Sequence, residues 1–156
     1  METRAAETEE FEEESRSALV CEDNAEFKSA ISTALEGLKY SIEFASGVED
    51  TFEKLKFNQY GLIILNERFG GSAPENNAVH TFLKTMPMST RRRIFLALIG
   101  KDFKTADNMT AFVTSSNIVV NEKDMSNLKS ILKKSVADND QFYKVFMESL
   151  VKMGKR

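Results

Sequence analysis

The sequence predicts a doubly wound α/β fold, with a five-stranded parallel sheet covered by helices on both faces. Three observations lead there. Short apolar runs recur five times along 156 residues, and a stretch with helical spacing follows each one. The run Gly61-Leu62-Ile63-Ile64-Leu65-Asn66-Glu67 is apolar on both of its alternating sides, as a strand in the middle of such a sheet must be. The connections are short, which suits right-handed crossovers between parallel strands.

Taken in order, residues 1–16 carry seven Glu and two Arg without apolar periodicity, and are expected to be an acidic disordered tail or linker. Ser17–Cys21 reads as a buried strand ending in Glu22-Asp23. Asn24 then suits the N-cap of a helix whose stripe is Phe27, Ile31, Ala34, Leu35 and Leu38. Tyr40–Ala45 alternates as a less buried strand. Val48–Phe57 follows as a helix with Val48, Phe52 and Leu55 inward. After the central strand, Arg68–Ser72 is a glycine-marked loop. Asn76–Met86 reads as a helix closed by Pro87. Ile94–Ile99 is the fourth strand, Thr105–Thr114 a short helix and Asn117–Asn121 the fifth strand. A last helix starts near Met125 with Leu128, Ile131, Leu132 and Val136 on one face. Asp138-Asn139-Asp140 is expected to interrupt or cap it, and a further helical stretch begins near Gln141.

Composition narrows the classes. The chain has a net charge of −3, but residues 1–16 account for −5, so the remainder sums to +2. A nearly neutral body argues against a nucleic-acid surface. The single cysteine, Cys21, excludes an internal disulfide or a Cys-based zinc site within this chain and fits a reducing compartment. No apolar run approaches the roughly 20 residues that span a bilayer, and no signal-peptide core is visible. A cytoplasmic protein without a membrane segment is the expectation.

Length and strand number favour the flavodoxin-like order 2-1-3-4-5, in which strands 1, 3 and 5 deliver their C-terminal ends to one pocket. Those ends supply Glu22-Asp23, Asn66 and Asn121. Over roughly residues 17–136 this constellation resembles the receiver domain of bacterial response regulators. Val20-Cys21-Glu22-Asp23-Asn24 is similar to the acidic pair that closes a receiver's first strand, and Ile64-Leu65-Asn66 followed by Gly71 to its third strand and turn. The resemblance implies a two-component signalling module. In active members the acidic pair and a phosphoacceptor aspartate hold Mg²⁺, a hydroxyl follows strand 4 and a lysine follows strand 5. Here Asn66 stands at the acceptor position, Ile99 at the hydroxyl position and Asn121 at the lysine position. Gly70 and Glu122 stand where the family usually has proline.

An amide cannot form an acyl phosphate, isoleucine cannot donate a hydrogen bond, and asparagine brings no cation to phosphate. Mg²⁺ would lose one of three protein charges, leaving only weak binding to Glu22 and Asp23. Glu67 is expected to point away from Asn66, because side chains alternate along a strand. The resemblance therefore implies a degenerate pseudo-receiver, not an enzyme, with no cofactor. A plainer account is that Glu22-Asp23-Asn24 caps the first helix, while Asn66 and Asn121 bond to each other and to loop backbone.

Other candidates read as structural. His80, the only histidine, is expected to be solvent-facing or partly buried on its helix. Cys21 is expected in inert core packing. Arg91-Arg92-Arg93 reads as a solvated lead-in to a strand, and Gly70-Gly71 lacks the Lys-Ser/Thr of a phosphate loop. The segment 137–156 is the more informative feature. Phe142, Val145, Phe146, Leu150 and Met153 form one stripe, with Tyr143, Met147 and Val151 beside it, a face wider than a helix on a sheet needs. It either folds back as core or extends the last helix and pairs with a second copy or another protein. The expected function is phosphorylation-independent signalling or scaffolding by protein–protein contact, through Phe142, Tyr143, Phe146, Met147 and Leu150. The alternative is a sensor of a small ligand or cation in the vestigial pocket.

Overall fold

A computed structural model describes residues 16–154; apart from Arg16, the expected acidic tail lies outside the described residues. Five strands alternate with five main helices. They are β1 (Ser17–Cys21), α1 (Ala25–Gly37), β2 (Ser41–Phe44), α2 (Val48–Phe57), β3 (Leu62–Asn66), α3 (Ala78–Thr85), β4 (Phe95–Gly100), α4 (Asn108–Val113), β5 (Ile118–Asn121) and α5 (Leu128–Lys152). The sheet order is β2-β1-β3-β4-β5, and every pairing is parallel. The fold expected from the sequence is the one observed.

Strand alternation builds two cores. Ala18, Val20, Ile64, Ala97, Ile99 and Val120 face one side, where Ile31 and Leu35 of α1 and Leu128 and Leu132 of α5 cover them. Leu19, Cys21, Ile63, Leu65, Leu98 and Val119 face the other, beneath Val79 and Leu83 of α3 and Ala111 of α4, with Val48, Phe52 and Leu55 of α2 partly buried beside them. All five residues of β3 are buried, which explains why its sequence is apolar at consecutive positions. β2 lies at the edge and is mostly exposed, in keeping with its polar–apolar alternation.

Several boundaries differ from the sequence reading. α3 starts at Ala78, two residues later than expected, because Asn77 caps it by accepting the His80 N–H at 3.0 Å, while Pro74–Asn76 forms a separate 3₁₀ turn. α4 shortens to Asn108–Val113, capped by Asp107. The expected break at Asp138-Asn139-Asp140 does not occur. α5 runs through it as one 25-residue helix, about 37 Å long at the helical rise. Asp and Asn have modest helix propensity but no steric bar to a helix interior, and Asn139 accepts an amide hydrogen from Asn117 at 3.3 Å. The helix ends where Gly154 takes φ +71° and its N–H returns to Val151 O at 3.0 Å.

Two further residues depart from expectation. His80 is buried, and its Nε2 donates to the Thr114 carbonyl at 2.7 Å, tying α3 to the end of α4. Burial pulls the His80 pKa down, against the hydrogen bond that raises it. Arg91 is not a solvated lead-in. Its guanidinium donates to Ile94 O at 2.7 Å, Ser115 O at 2.8 Å and Asn117 Oδ1 at 3.1 Å, stitching the loops at the N-terminal edge of β4 and β5. Arg92 and Arg93 are exposed as expected.

Candidate functional site

The C-terminal ends of β1 and β3 meet at a polar cluster. Glu22 follows β1 on the same face as Val20, and Asn66 ends β3 on the same face as Ile64, so alternation turns both toward the α1 side. Glu22 is 3% exposed and Asn66 5%. Asn66 Nδ2 donates to Glu22 Oε2 at 2.7 Å and, more weakly, to Glu122 Oε1 at 3.4 Å. The other Glu22 oxygen accepts the backbone N–H groups of Asp23 and Asn24, at 3.0 and 3.1 Å. Burial raises the Glu22 pKa, against these hydrogen bonds, with the Glu122 charge adding a smaller upward push.

Local capping accounts for much of this arrangement. Asn24 accepts the Phe27 N–H at 3.1 Å and opens α1, as the sequence predicts. Asp23 Oδ2 accepts the Gly70 N–H at 2.8 Å, drawing the loop after β3 over the acidic pair. Gly70 is at φ +80°, and a Cβ there would meet the Val48 side chain at 2.7 Å. A proline cannot adopt that φ, so the loop takes a course that a proline at this position would forbid. Asn66 Oδ1 accepts the Arg68 N–H at 2.9 Å. Asn77 Nδ2 donates to the carbonyls of Asn66 and Glu67 at 3.2 and 2.9 Å.

Ile99 lies directly opposite Asn66 in the β3–β4 ladder, fully buried in the α1–α5 core. Asn121 is not brought to Asn66, nor do the two amides bond to each other. Ile118 and Val120 belong to the α1–α5 core, so parity turns Asn121 to the other side. There its Nδ2 donates to Lys101 O and Phe103 O at 3.0 and 2.7 Å, and its Oδ1 caps Lys123 N–H at 2.9 Å. Its backbone N–H donates to Thr105 Oγ1, which donates in turn to Asp124 at 2.5 Å. The loop between β4 and α4 is thereby latched to the end of β5.

Glu122, one residue on, takes the place beside Asn66 that Asn121 was expected to fill. The same alternation rule, applied past the strand end, identifies it from sequence. Asn77 was missed for a different reason, since it lies 11 residues from Asn66 and only tertiary structure brings them together. Glu67 does point away, with its carboxyl against Gly100, where a Cβ would come within 2.6 Å of it. Desolvation raises its pKa, against the opposing effect of Arg68. Cys21 is buried against Thr51 Oγ1 at 3.8 Å, and burial pushes its thiol up to about 12. A thiol so far from ionisation is unreactive at neutral pH.

Chemically, the cluster places one amide between two carboxylates. Among the described residues, no group of three or more His, Cys, Asp or Glu side chains is arranged to hold a metal. No helix among them is long and apolar enough to cross a membrane. The C-terminal candidates lie elsewhere, on α5 beyond the domain body. Phe142 is 64% exposed, Phe146 37% and Met147 46%, while Tyr143 and Leu150 are partly buried.

No protein-family model and no curated protein sequence matches the chain. Its structure is similar to the signal receiver domain of a DNA-binding response regulator from Colwellia psychrerythraea 34H, with a TM-score of 0.61 at 18% identity, covering 78% of this chain and 98% of that one. It also resembles an orphan response regulator of H. pylori (TM-score 0.57, 12% identity, 78% and 97% covered). A response regulator in red light signaling of R. palustris gives a TM-score of 0.53 at 13% identity, with 74% and 90% covered. Over about three quarters of its length the chain thus has the fold of response-regulator receiver domains.

Proposed function

We propose that the chain is a receiver-like signalling module that acts by protein–protein contact and without aspartyl phosphorylation. One observation carries this reading. At the end of β3, where a receiver has its acceptor carboxylate, Asn66 instead uses its amide N–H to bridge Glu22 and its carbonyl to hold the following turn. Phosphorylation needs an ionised carboxylate with free oxygens, a divalent cation and a hydroxyl and a cation for the phosphoryl oxygens. Asn66, Ile99 and the outward-turned Asn121 provide none of these.

The latch around Asn121 supports the same reading. In place of a loop that closes on phosphate, Thr105, Asn121 and Asp124 hold the β4–α4 connection in one arrangement through their own hydrogen bonds. The surface beyond it is available for contact. Met109 and Phe112 on α4 are 71% and 81% exposed, and the apolar end of α5 is continuous in sequence with the domain body. Exposed aromatic and Met side chains of this kind mark protein interaction sites.

Incubation with acetyl phosphate and Mg²⁺, followed by intact mass measurement, tests the proposal. The expected result is no added phosphoryl group. A stoichiometric increase in mass of one phosphoryl group would overturn it. The alternative of a cation or metabolite sensor requires Glu22 to release bonds to two backbone N–H groups and the Asn66 amide. A rise in Tm with millimolar Mg²⁺ or Ca²⁺ would favour that alternative.

A further inference from the structure

The geometry points to a binding site for a small organic anion, an aromatic or aliphatic body bearing a phosphate or carboxylate group, in the cavity at the N-terminal ends of β3 and β4. This goes beyond the contact-module reading and does not depend on it. The cavity lies at the opposite end of the sheet from Glu22 and Asn66. It measures about 440 Å³, within the range of sites that take small molecules, and is walled by the α2–β3 and α3–β4 connections.

Both walls have a fixed course. On one side α2 ends where the Asn58 N–H donates to Lys54 O at 2.9 Å and its Nδ2 donates to the same oxygen at 3.2 Å. On the other, Pro87 O accepts the N–H groups of Thr90 and Arg91, at 3.0 and 2.9 Å, and Met88–Arg91 forms a helical turn. Arg91 is committed to three loop oxygens, which leaves Arg93, two residues on, to line the cavity. Gly61, next to Tyr60, accepts the Phe95 N–H at 2.8 Å and so joins the two connections. A frame held in this way needs little ordering when a ligand arrives.

The lining selects the ligand. Tyr60 and Ile94 are buried and Leu55 and Met86 partly buried, which gives an apolar floor. The Tyr60 hydroxyl is taken by Glu43 at 2.5 Å, so its ring is what the floor offers. Lys56 and Arg93 stand around it with the hydroxyl side chains of Ser89 and Thr90, and among the described residues that line the cavity none is acidic. The ion pair formed among the described residues is Lys54–Asp50 at 3.5 Å, so the charges of Lys56 and Arg93 remain for a ligand. Lys56 Nζ lies 5.4 Å from the centroid of the Phe57 ring, which is 70% exposed, and the two put a cation and an aromatic ring together at the rim. A second cavity, of about 450 Å³ between α4 and α5, makes the contrast: Lys134 and Asp138 both line it, so it prefers neither sign. Two cations above an apolar floor favour an anion that also carries apolar surface, because exposed charges alone contribute little.

Titration of the whole chain with naphthyl phosphate and, separately, naphthoate, read by two-dimensional amide NMR spectra, tests this. The expected result is saturable shifts confined to residues 55–61 and 86–94, with a Kd of roughly 0.1 to 1 mM. Saturation by either compound supports the site, and the tighter one identifies the anionic group. Neutral naphthol and inorganic phosphate should each bind at least about tenfold more weakly, since each lacks one half of the recognition. Arg93→Gln and Lys56→Gln change exposed side chains and should each weaken binding about fivefold. Lys134→Gln, in the wall of the second cavity, should leave it unchanged. No saturation by either anion, shifts centred on Glu22 and Asn66, equal binding of naphthol, or indifference to both Gln substitutions at the cavity would overturn the proposal. None of these outcomes touches the phosphorylation reading, which fails only by a gain in mass.

Discussion

The end of β3 and the end of α5 are both places where a regular element runs out of the domain, and the chain treats them oppositely. At β3 the polar groups are turned inward and satisfied: Asn66 is 5% exposed with hydrogen bonds to Glu22 and Arg68. At α5 the apolar groups are turned outward, with Phe142 64% exposed. Hydrogen bonds already made contribute nothing to a later partner, whereas apolar surface left in water can still be removed from it. Of the two ends, the last helix is the one that still has apolar surface to bury.

A comparison within α5 gives the largest effect. Leu132 and Leu150 lie on one face of the helix, but Leu132 is fully buried in the core while Leu150 is only partly buried. Leu132→Ala should cost about 2–5 kcal/mol in urea unfolding. Leu150→Ala should cost less, about 0.5–1 kcal/mol. Equal losses would mean that the extension is core and that the contrast between the two ends is false.

The polar end can be broken by one atom. Asn66→Asp replaces an amide donor with a third carboxylate beside Glu22 and Glu122, and should cost about 1–3 kcal/mol at neutral pH. Millimolar Mg²⁺ should recover much of that loss in the variant and change the parent little, read as paired thermal shifts. A stable Asn66→Asp protein indifferent to Mg²⁺ would show that the amide is not what neutralises Glu22.

The smallest effect concerns His80, whose folded-state pKa is lowered chiefly by burial. The unfolded chain then binds the proton more tightly, so stability is fully present above the unfolded value of about 6.5 and falls as pH drops below it toward the folded pKa. As the only histidine, its contribution is separable. The difference in urea midpoint between the parent and His80→Gln should narrow from pH 7.5 to pH 5. A difference constant with pH would remove the assignment.

Much of the sheet was legible in residues because its signals are local. The apolar run 62–65, the caps at Asn24 and the alternation of β2 each depend on neighbours within a few positions. Five such strands in this length leave few un-knotted arrangements, and length and strand number favour the order β2-β1-β3-β4-β5 that is observed. Those rules also place Glu22 and Asn66 on one edge and identify the amide that ends β3.

Tertiary structure decided what those residues do. The expected strand order and the receiver resemblance put Asn121 beside Asn66, but the facing of β5 was set by the packing of Ile118 and Val120, which sent Asn121 to the β4 loop and Glu122 to the pocket. Asn77 reached the carbonyls of Asn66 and Glu67 only because α3 docks under the same edge. The fate of 137–156 was likewise open, since an apolar helical face specifies burial but not the surface that covers it. A continuous α5 carries that face past the sheet, because Asp138-Asn139-Asp140 has no proline or glycine to break the helix and Gly154 ends it only after Lys152. Local propensity determined the elements. Parity and docking, which depend on distant residues, determined which side chains meet.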